Sequence, residues 1–159
     1  MTSKIRRVVT GHKKDGKATV LIDETTQMMP AGPANIYRSM IWSTEGWPIS
    51  NDGSDDAGKR QSGITIPNGI VFRIVSFGPG AAPRNHRTDS IDFAVIMSGE
   101  IDMELDDETI HLKAGDVIVQ RGTIHNWVNN GKEPCLIAFT LVSAKSVTTE
   151  DGKVLPAHG

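Results

Sequence analysis

The apolar residues of this 159-residue chain fall into many short runs, and hardly any long window keeps the three-and-four spacing of an amphipathic helix. The runs are rich in Val, Ile and Phe. Gly, Asp-Gly or Asn clusters separate them, which is typical of strands joined by turns. The pattern therefore predicts an all-β protein.

Ten segments have the length and composition of strands, and about eight strands, the number that closes a small barrel, lie between Ile70 and Val142. A barrel of that size has room for its own side chains and one small ligand. In one segment Ile101, Met103 and Leu105 alternate with acidic residues, so these three are expected to point inward. The predicted strands are 6–9, 18–22, 36–42, 70–77, 91–97, 101–105, 109–112, 117–120, 125–129 and 135–142.

The same pattern divides the chain into three parts. Residues 63–145 are expected to form the barrel, and residues 146–159 a C-terminal tail. Residues 1–62 are expected to form a strand extension that packs on the barrel or on a second subunit. The segment 51–62 has only Ala57 as an apolar residue, so it is expected to be a solvated loop.

Charge and composition narrow the functional classes. The net charge of −2 and the pI near 6.2 provide no basic surface for nucleic acid or an anionic membrane. The amino terminus lacks the apolar core of a signal peptide and no apolar run could cross a bilayer, so the protein is expected in the cytoplasm. Cys135 is the single cysteine, in an apolar setting that predicts a buried strand residue.

Two histidine-bearing segments stand on either side of a short turn. The first contains His86, Thr88, Asp92 and Gly99, and the second contains Gly115, Asp116, Gln120, Gly122, His125 and Asn129. This layout resembles the two sequence motifs of the cupin superfamily. The resemblance implies a double-stranded β-helix, also called a jelly-roll barrel, with an N-terminal strand extension. Proteins of this superfamily often hold a metal ion near the barrel mouth, so the resemblance also implies a candidate metal site.

Three positions depart from the usual cupin motifs. Thr88 stands where a second histidine is usual, Asp92 where a glutamate is usual, and Gln120 where a proline is usual. These changes leave the fold inference intact and weaken the metal inference, because a threonine hydroxyl does not replace an imidazole as a strong ligand.

The histidines are the candidate catalytic residues. Strand alternation places His86, Thr88 and Asp92 on one face, and His125 enters from another strand. With Asp92, the two imidazoles would form a three-ligand set that suits Fe and accommodates Mn, Ni, Zn or Cu. Alternatively Asp92 orients a histidine through Nδ1–H. Without a metal, the two histidines would act as acid and base.

Four further residues are candidate substrate contacts. Arg73 interrupts an apolar run, and its side chain is expected to face solvent, with an inward clamp on a carboxylate as the alternative. Trp127 is expected mainly to pack in the core, with stacking on an aromatic substrate as the alternative. Gln120 and Thr88 are the polar candidates.

These features lead to two hypotheses about function. The first is an enzyme that acts on a polar organic metabolite as a decarboxylase, isomerase, dehydratase or dioxygenase. The second is a non-catalytic sensor or binding module for a small ligand. The resemblance also implies a homodimer, since in many relatives such an extension pairs with the sheet of a second subunit.

Overall fold

The structure, a computed structural model, describes residues 4–159. Within this range the chain forms thirteen strands and one short 3-10 helix, Ala57–Lys59, and contains no helix long and apolar enough to cross a bilayer. The strands are β1 Lys4–His12, β2 Ala18–Gln27, β3 Met29–Pro30, β4 Ile36–Glu45, β5 Gly69–Phe77, β6 Ser90–Ser98, β7 Glu100–Glu104, β8 Thr109–Lys113, β9 Val117–Arg121, β10 Asn126–Val128, β11 Cys135–Ser143, β12 Val147–Thr148 and β13 Val154–Leu155.

Two antiparallel sheets share one apolar core. The larger has the order β3-β4-β5-β11-β6-β9, and the smaller has the order β10-β7-β8. Val71 and Ile137 of the larger sheet belong to the same buried cluster as Ile101, Met103 and Trp127 of the smaller sheet. The prediction of an all-β double-stranded β-helix is confirmed, and Ile101 and Met103 point inward as their alternation predicts.

The barrel includes a strand from the predicted extension. β4 pairs with β5 along nearly its whole length, in the same chain. Seven strands, rather than about eight, lie between β5 and β11, and β4 extends their sheet at one side. Residues 36–45 are therefore positioned to contribute side chains to the barrel interior.

The hairpin β1–β2 is a separate two-stranded sheet that Arg7 holds against the barrel. The Arg7 side chain is 2% exposed, and its guanidinium contacts Glu24, both carboxylate oxygens of Asp56, and the carbonyl of Ile41. The expectation that 51–62 is a solvated loop is therefore wrong at Asp56. This carboxylate also caps the 3-10 helix, so it gains partners that the local sequence does not show.

The last residue of the second motif fixes a loop of the barrel. Asn129 is 2% exposed, and its amide donates to the carbonyls of Phe77 at 2.7 Å and Glu133 at 2.9 Å. Its side-chain oxygen accepts from the backbone of Gly131 at 2.9 Å. Asn129 is thus a structural residue that joins β5 to the turn before β11.

Two of the motif glycines, Gly99 and Gly115, differ in their surroundings, and we expect substitutions at them to differ in effect. Both have a positive φ, 74° at Gly99 and 95° at Gly115. A Cβ on Gly99 would lie 2.7 Å from the carbonyl oxygen of Pro134, whereas a Cβ on Gly115 would meet nothing within 4 Å. Urea unfolding should show a loss of about 3 kcal/mol for Gly99→Ala and about 1 kcal/mol for Gly115→Ala. Equal losses would contradict the steric explanation.

Candidate functional site

A cavity of about 80 Å³ lies inside the barrel, between the strands of the larger sheet and the two motif segments. Since one water needs about 10–15 Å³ of such volume, the cavity is several times larger than a single water requires. It suits a small metabolite. Its lining residues that matter for chemistry are Arg38, Arg73, Arg84, His86, Thr88, Asp92, His125, Asn126 and Trp127.

The two motif histidines are brought side by side by a short antiparallel bridge. The backbone N–H of each donates to the carbonyl of the other at 3.0 Å. Their ring centroids are 4.3 Å apart. The prediction that the two imidazoles share one cavity therefore agrees with the geometry.

Both rings use the same nitrogen, Nδ1, for a hydrogen bond to a main-chain carbonyl. Nδ1 of His86 lies 3.0 Å from the carbonyl oxygen of Arg84, and Nδ1 of His125 lies 3.0 Å from that of Thr123. A carbonyl oxygen only accepts, so each Nδ1 carries the proton. Each Nε2 is left with a lone pair for a ligand or a proton.

Burial keeps both imidazoles neutral. It is the main cause that lowers the pKa of His125 to about 4, and the neighbouring His86 adds to the effect. Burial also lowers the pKa of His86, with Arg84 and Arg73 contributing in the same direction. At neutral pH the site therefore contains two uncharged bases.

Asp92 is held in a network of its own. Its side chain is buried, with the Ser90 hydroxyl 2.6 Å from Oδ1 and the Gln120 amide nitrogen 2.7 Å from Oδ2. The Thr88 hydroxyl lies 2.8 Å from that of Ser90. Burial raises the pKa of Asp92, and the hydrogen bonds from Ser90 and Gln120 and the charge of Arg73 oppose the rise.

The three-ligand metal site predicted from His86, Asp92 and His125 is not assembled. Among residues 4–159, no group of three His, Cys, Asp or Glu side chains is close enough to hold a metal ion. Both oxygens of Asp92 already accept hydrogen bonds, from Ser90 and Gln120. The alternative that Asp92 orients a histidine also lacks support, because main-chain carbonyls accept from both Nδ1 atoms.

Arg73 points into the cavity, so the favoured expectation that it faces solvent is wrong. On β5, Arg73 shares a face with Val71, Val75 and Phe77, which are buried, while Phe72 is exposed on the opposite face. Strand alternation gave no clear signal here, since Ile70, Phe72 and Ile74 on the other face are equally apolar in the sequence. The inward alternative is the one that the structure supports.

The other predicted contacts divide into two groups. Thr88 and Trp127 line the cavity, and Trp127 also packs against Phe77 and Phe139 with ring centroids 6.0 and 5.8 Å away, which agrees with the expected packing role. Gln120 is buried behind Asp92 and outside the cavity wall. Gln120 is therefore a hydrogen-bond donor to Asp92 in this structure.

Sequence reasoning missed three cavity residues: Arg38, Arg84 and Asn126. Arg38 lies on β4, two residues after the buried Ile36, so alternation within the predicted strand 36–42 could have found it. Asn126 accepts from the backbone N–H of Arg84 at 2.8 Å, a contact that joins the two motif segments. Sequence spacing gives no sign of that contact.

The fold and the cavity define a small β-barrel protein with an internal, histidine-lined cavity, and comparisons with known proteins agree with this fold. The cupin domain family model matches residues 73–142. The chain is similar to a cupin-domain-containing oxidoreductase of Aspergillus ruber, at 31% identity over 160 residues, covering 96% of this chain and 79% of that protein. The chain therefore belongs to the cupin superfamily.

Two further similarities bear on the barrel. A phomopsin biosynthesis cluster protein of Diaporthe leptostromiformis is 46% identical over 95 residues, which cover 58% of this chain and 50% of that protein, so the alignment spans half of its length. The Cnp3 cupin domain of Schizosaccharomyces pombe has a TM-score of 0.55 at 13% identity, covering 87% of each chain. At that identity the likeness concerns the fold alone.

Proposed function

We propose that this protein is an enzyme that acts on a small polar organic metabolite by proton transfer at His86, with the neutral His125 beside it as a hydrogen-bond acceptor. The observation that supports this function is the paired imidazoles, both neutral and both with Nε2 free, in a cavity of metabolite size. A positioned histidine base is a common means of catalysing proton transfer.

The two histidines have different parts in this proposal. His125 is 2% exposed and has the more strongly depressed pKa, about 4, so it is a poor proton acceptor at neutral pH. His86 is less buried, so its Nε2 takes the proton from an O–H or C–H group of the ligand. A charge on either ring disfavours a charge on the other, so the pair accepts only one additional proton at a time.

A divalent metal would find only part of a site here. Nε2 of His86 and His125 are atoms with which histidine ligates iron, manganese, zinc, nickel or copper, where the ion would act as a Lewis acid. The chain supplies no third ligand from Asp92, so water or the metabolite itself would have to complete the coordination. The proton-transfer proposal does not depend on such an ion.

Removal of metal provides a direct check of that independence. We expect protein dialysed against a chelator to keep its turnover within about twofold, because the proton-accepting atoms belong to the chain itself. The measurement is turnover and metal content before and after dialysis. The contrary result is a loss of turnover on dialysis that one divalent ion restores in wild type but not in His125→Gln. It would show that the histidines act as metal ligands.

The experiment that tests the proposed function starts from a metabolite extract, because the geometry of the cavity does not identify one particular substrate. Mass spectrometry would follow the species consumed and formed by purified protein. We expect conversion by wild type and by His111→Gln, whose imidazole is 59% exposed on β8, and a loss of about a hundredfold or more in His86→Gln. Unchanged conversion in His86→Gln and His125→Gln would refute the acid–base role.

A binding module is the second candidate function. The depressed pKa of His125 favours it, because a ring that stays neutral over a wide pH range is a constant hydrogen-bond acceptor. Specific retention of one metabolite from the same extract without any conversion would support this function. The oxidoreductase names of the relatives favour the enzyme, although a redox step would require an oxidant or reductant delivered with the substrate.

We also propose a homodimer through the outer face of the larger sheet. Phe93, Val95, Val117 and Val119 are 48, 44, 73 and 57% exposed, and they pair across β6 and β9 as one apolar area. Such an area on a sheet face suggests a partner, and a two-fold axis would bury it against its own copy. We expect sedimentation to show a dimer that Phe93→Asp with Val119→Asp converts to monomer. A monomeric wild type would contradict the proposal.

A further inference from the structure

The polar lining of the cavity carries an excess of positive charge. The guanidiniums of Arg38, Arg73 and Arg84 line it, and Asp92 is the only carboxylate among its lining residues. The two imidazoles are neutral at neutral pH and offset none of this excess. The cavity therefore favours an anion over a neutral or cationic guest of the same shape.

Arg38 and Arg73 both lack a salt bridge within residues 4–159, and Arg73 is the more buried of the two. The buried Nε of Arg73 has no hydrogen-bond partner in that range. Arg84, in contrast, donates to the carbonyl oxygen of Gly159 at 2.9 Å. A buried cation without a partner is unfavourable, so an anion that entered the cavity would remove a penalty as well as gain an ion pair.

Asp92 does not serve as that partner. Its two oxygens accept from Ser90 and Gln120, and it lies beyond salt-bridge distance of the Arg73 guanidinium. Burial lowers the pKa of Arg73 to about 10, with Arg38 adding to the effect and Asp92 opposing it. Arg73 thus remains charged at neutral pH while its donors are unused.

We propose that the ligand of this cavity is a small organic carboxylate whose carboxylate group binds the guanidinium of Arg73. A guanidinium fork matches a carboxylate in a bidentate arrangement. The organic part would lie against the apolar wall that Val75, Phe77, Phe139 and Leu141 form, which inorganic phosphate would leave unused. This inference names the substrate class of the proposed enzyme, and it rests on the proposed function only for the claim that the bound molecule is converted.

Titration of the full chain with benzoate and benzamide tests the proposal, because the two probes share a ring and differ in charge. The signal is the ¹⁵N–¹H resonance of the Arg73 Nε, assigned with Arg73→Lys. We expect benzoate to shift that resonance and to bind at least tenfold more tightly than benzamide. In Arg73→Met, benzoate affinity should fall about tenfold to a hundredfold. Arg6→Met, which removes an exposed guanidinium on the hairpin, should leave it unchanged.

Three results would overturn the proposal. They are equal affinity for benzoate and benzamide, undiminished benzoate binding in Arg73→Met, and tighter binding of inorganic phosphate than of benzoate. If Arg73→Met does not fold, the wild-type resonance decides, since benzoate without effect on the Arg73 Nε contradicts the ion pair. Failure of the proposed function looks different, because His86→Gln would then match wild type in conversion while the benzoate preference persisted.

Discussion

Replacing Arg7 with Met will lower the free energy of unfolding by about 3 kcal/mol. The Arg7 side chain is 2% exposed and joins three parts of the chain: the hairpin through Glu24, the 3-10 helix through Asp56, and β4 through the carbonyl of Ile41. Removal of the guanidinium leaves Asp56, which is 16% exposed, without its main partner. The Arg7 guanidinium holds the pKa of Asp56 below its usual value, so the coupling acts on both groups.

The neighbouring Arg6 provides a matched control for this prediction. It forms a two-point contact with Asp23, both bonds 2.8 Å long, but its side chain is 71% exposed. Arg6→Met should therefore leave the free energy of unfolding almost unchanged, because an exposed ion pair contributes little. Urea unfolding of both variants, followed by fluorescence and circular dichroism, measures the difference. Equal losses in the two variants would show that the Arg7 network has no special importance.

Acidification from pH 7 to pH 4 will destabilise the folded protein by about 3 kcal/mol through His125 alone. Its pKa is about 4 in the folded state against an ordinary value of 6.5, so the unfolded chain binds the proton more readily. The stability that the neutral ring contributes is fully present above pH 6.5 and is lost as the pH falls toward 4. Below that pH the two states are protonated alike and the loss stops.

A variant isolates this contribution from other titrating groups. His86 acts in the same direction as His125, whereas the raised pKa of Asp92 acts in the opposite direction. His125→Gln should therefore reduce the loss between pH 7 and pH 4 by about 3 kcal/mol. His111→Gln should not, because Asp102 raises the pKa of that exposed imidazole. An unchanged acid profile in His125→Gln would show that this ring is not buried neutral.

Local chemistry explains why the fold could be predicted. Period-two alternation selects strands, and the burial of Ile101 and Met103 follows from it directly. The tight turn at Gly115 has a positive φ that glycine adopts readily, so its position was visible as well. Pairing across the barrel was less visible, because β4 joins β5 through contacts between residues far apart in the chain.

The candidate site could be predicted only in part. The motif spacing placed His86 and His125 in one cavity, and the bridge between them shows why. The motif spacing did not indicate which residues would donate hydrogen bonds to the carboxylate of Asp92. Ser90 reaches one oxygen from β6 itself, and Gln120 reaches the other from the neighbouring β9.

The sequence by itself determined the all-β class and the barrel through alternation and the number of strands, and its resemblance to the cupin motifs indicated that two histidines meet in one cavity. Only the tertiary structure decided the partners of the buried polar groups. Asp92 accepts hydrogen bonds from Ser90 and Gln120, and Asp56 forms an ion pair with Arg7. Arg73 lines the cavity together with Arg38 and Arg84. The physical reason is that a polar group is satisfied by whichever partner lies within about 3 Å, and those partners come from distant parts of the chain.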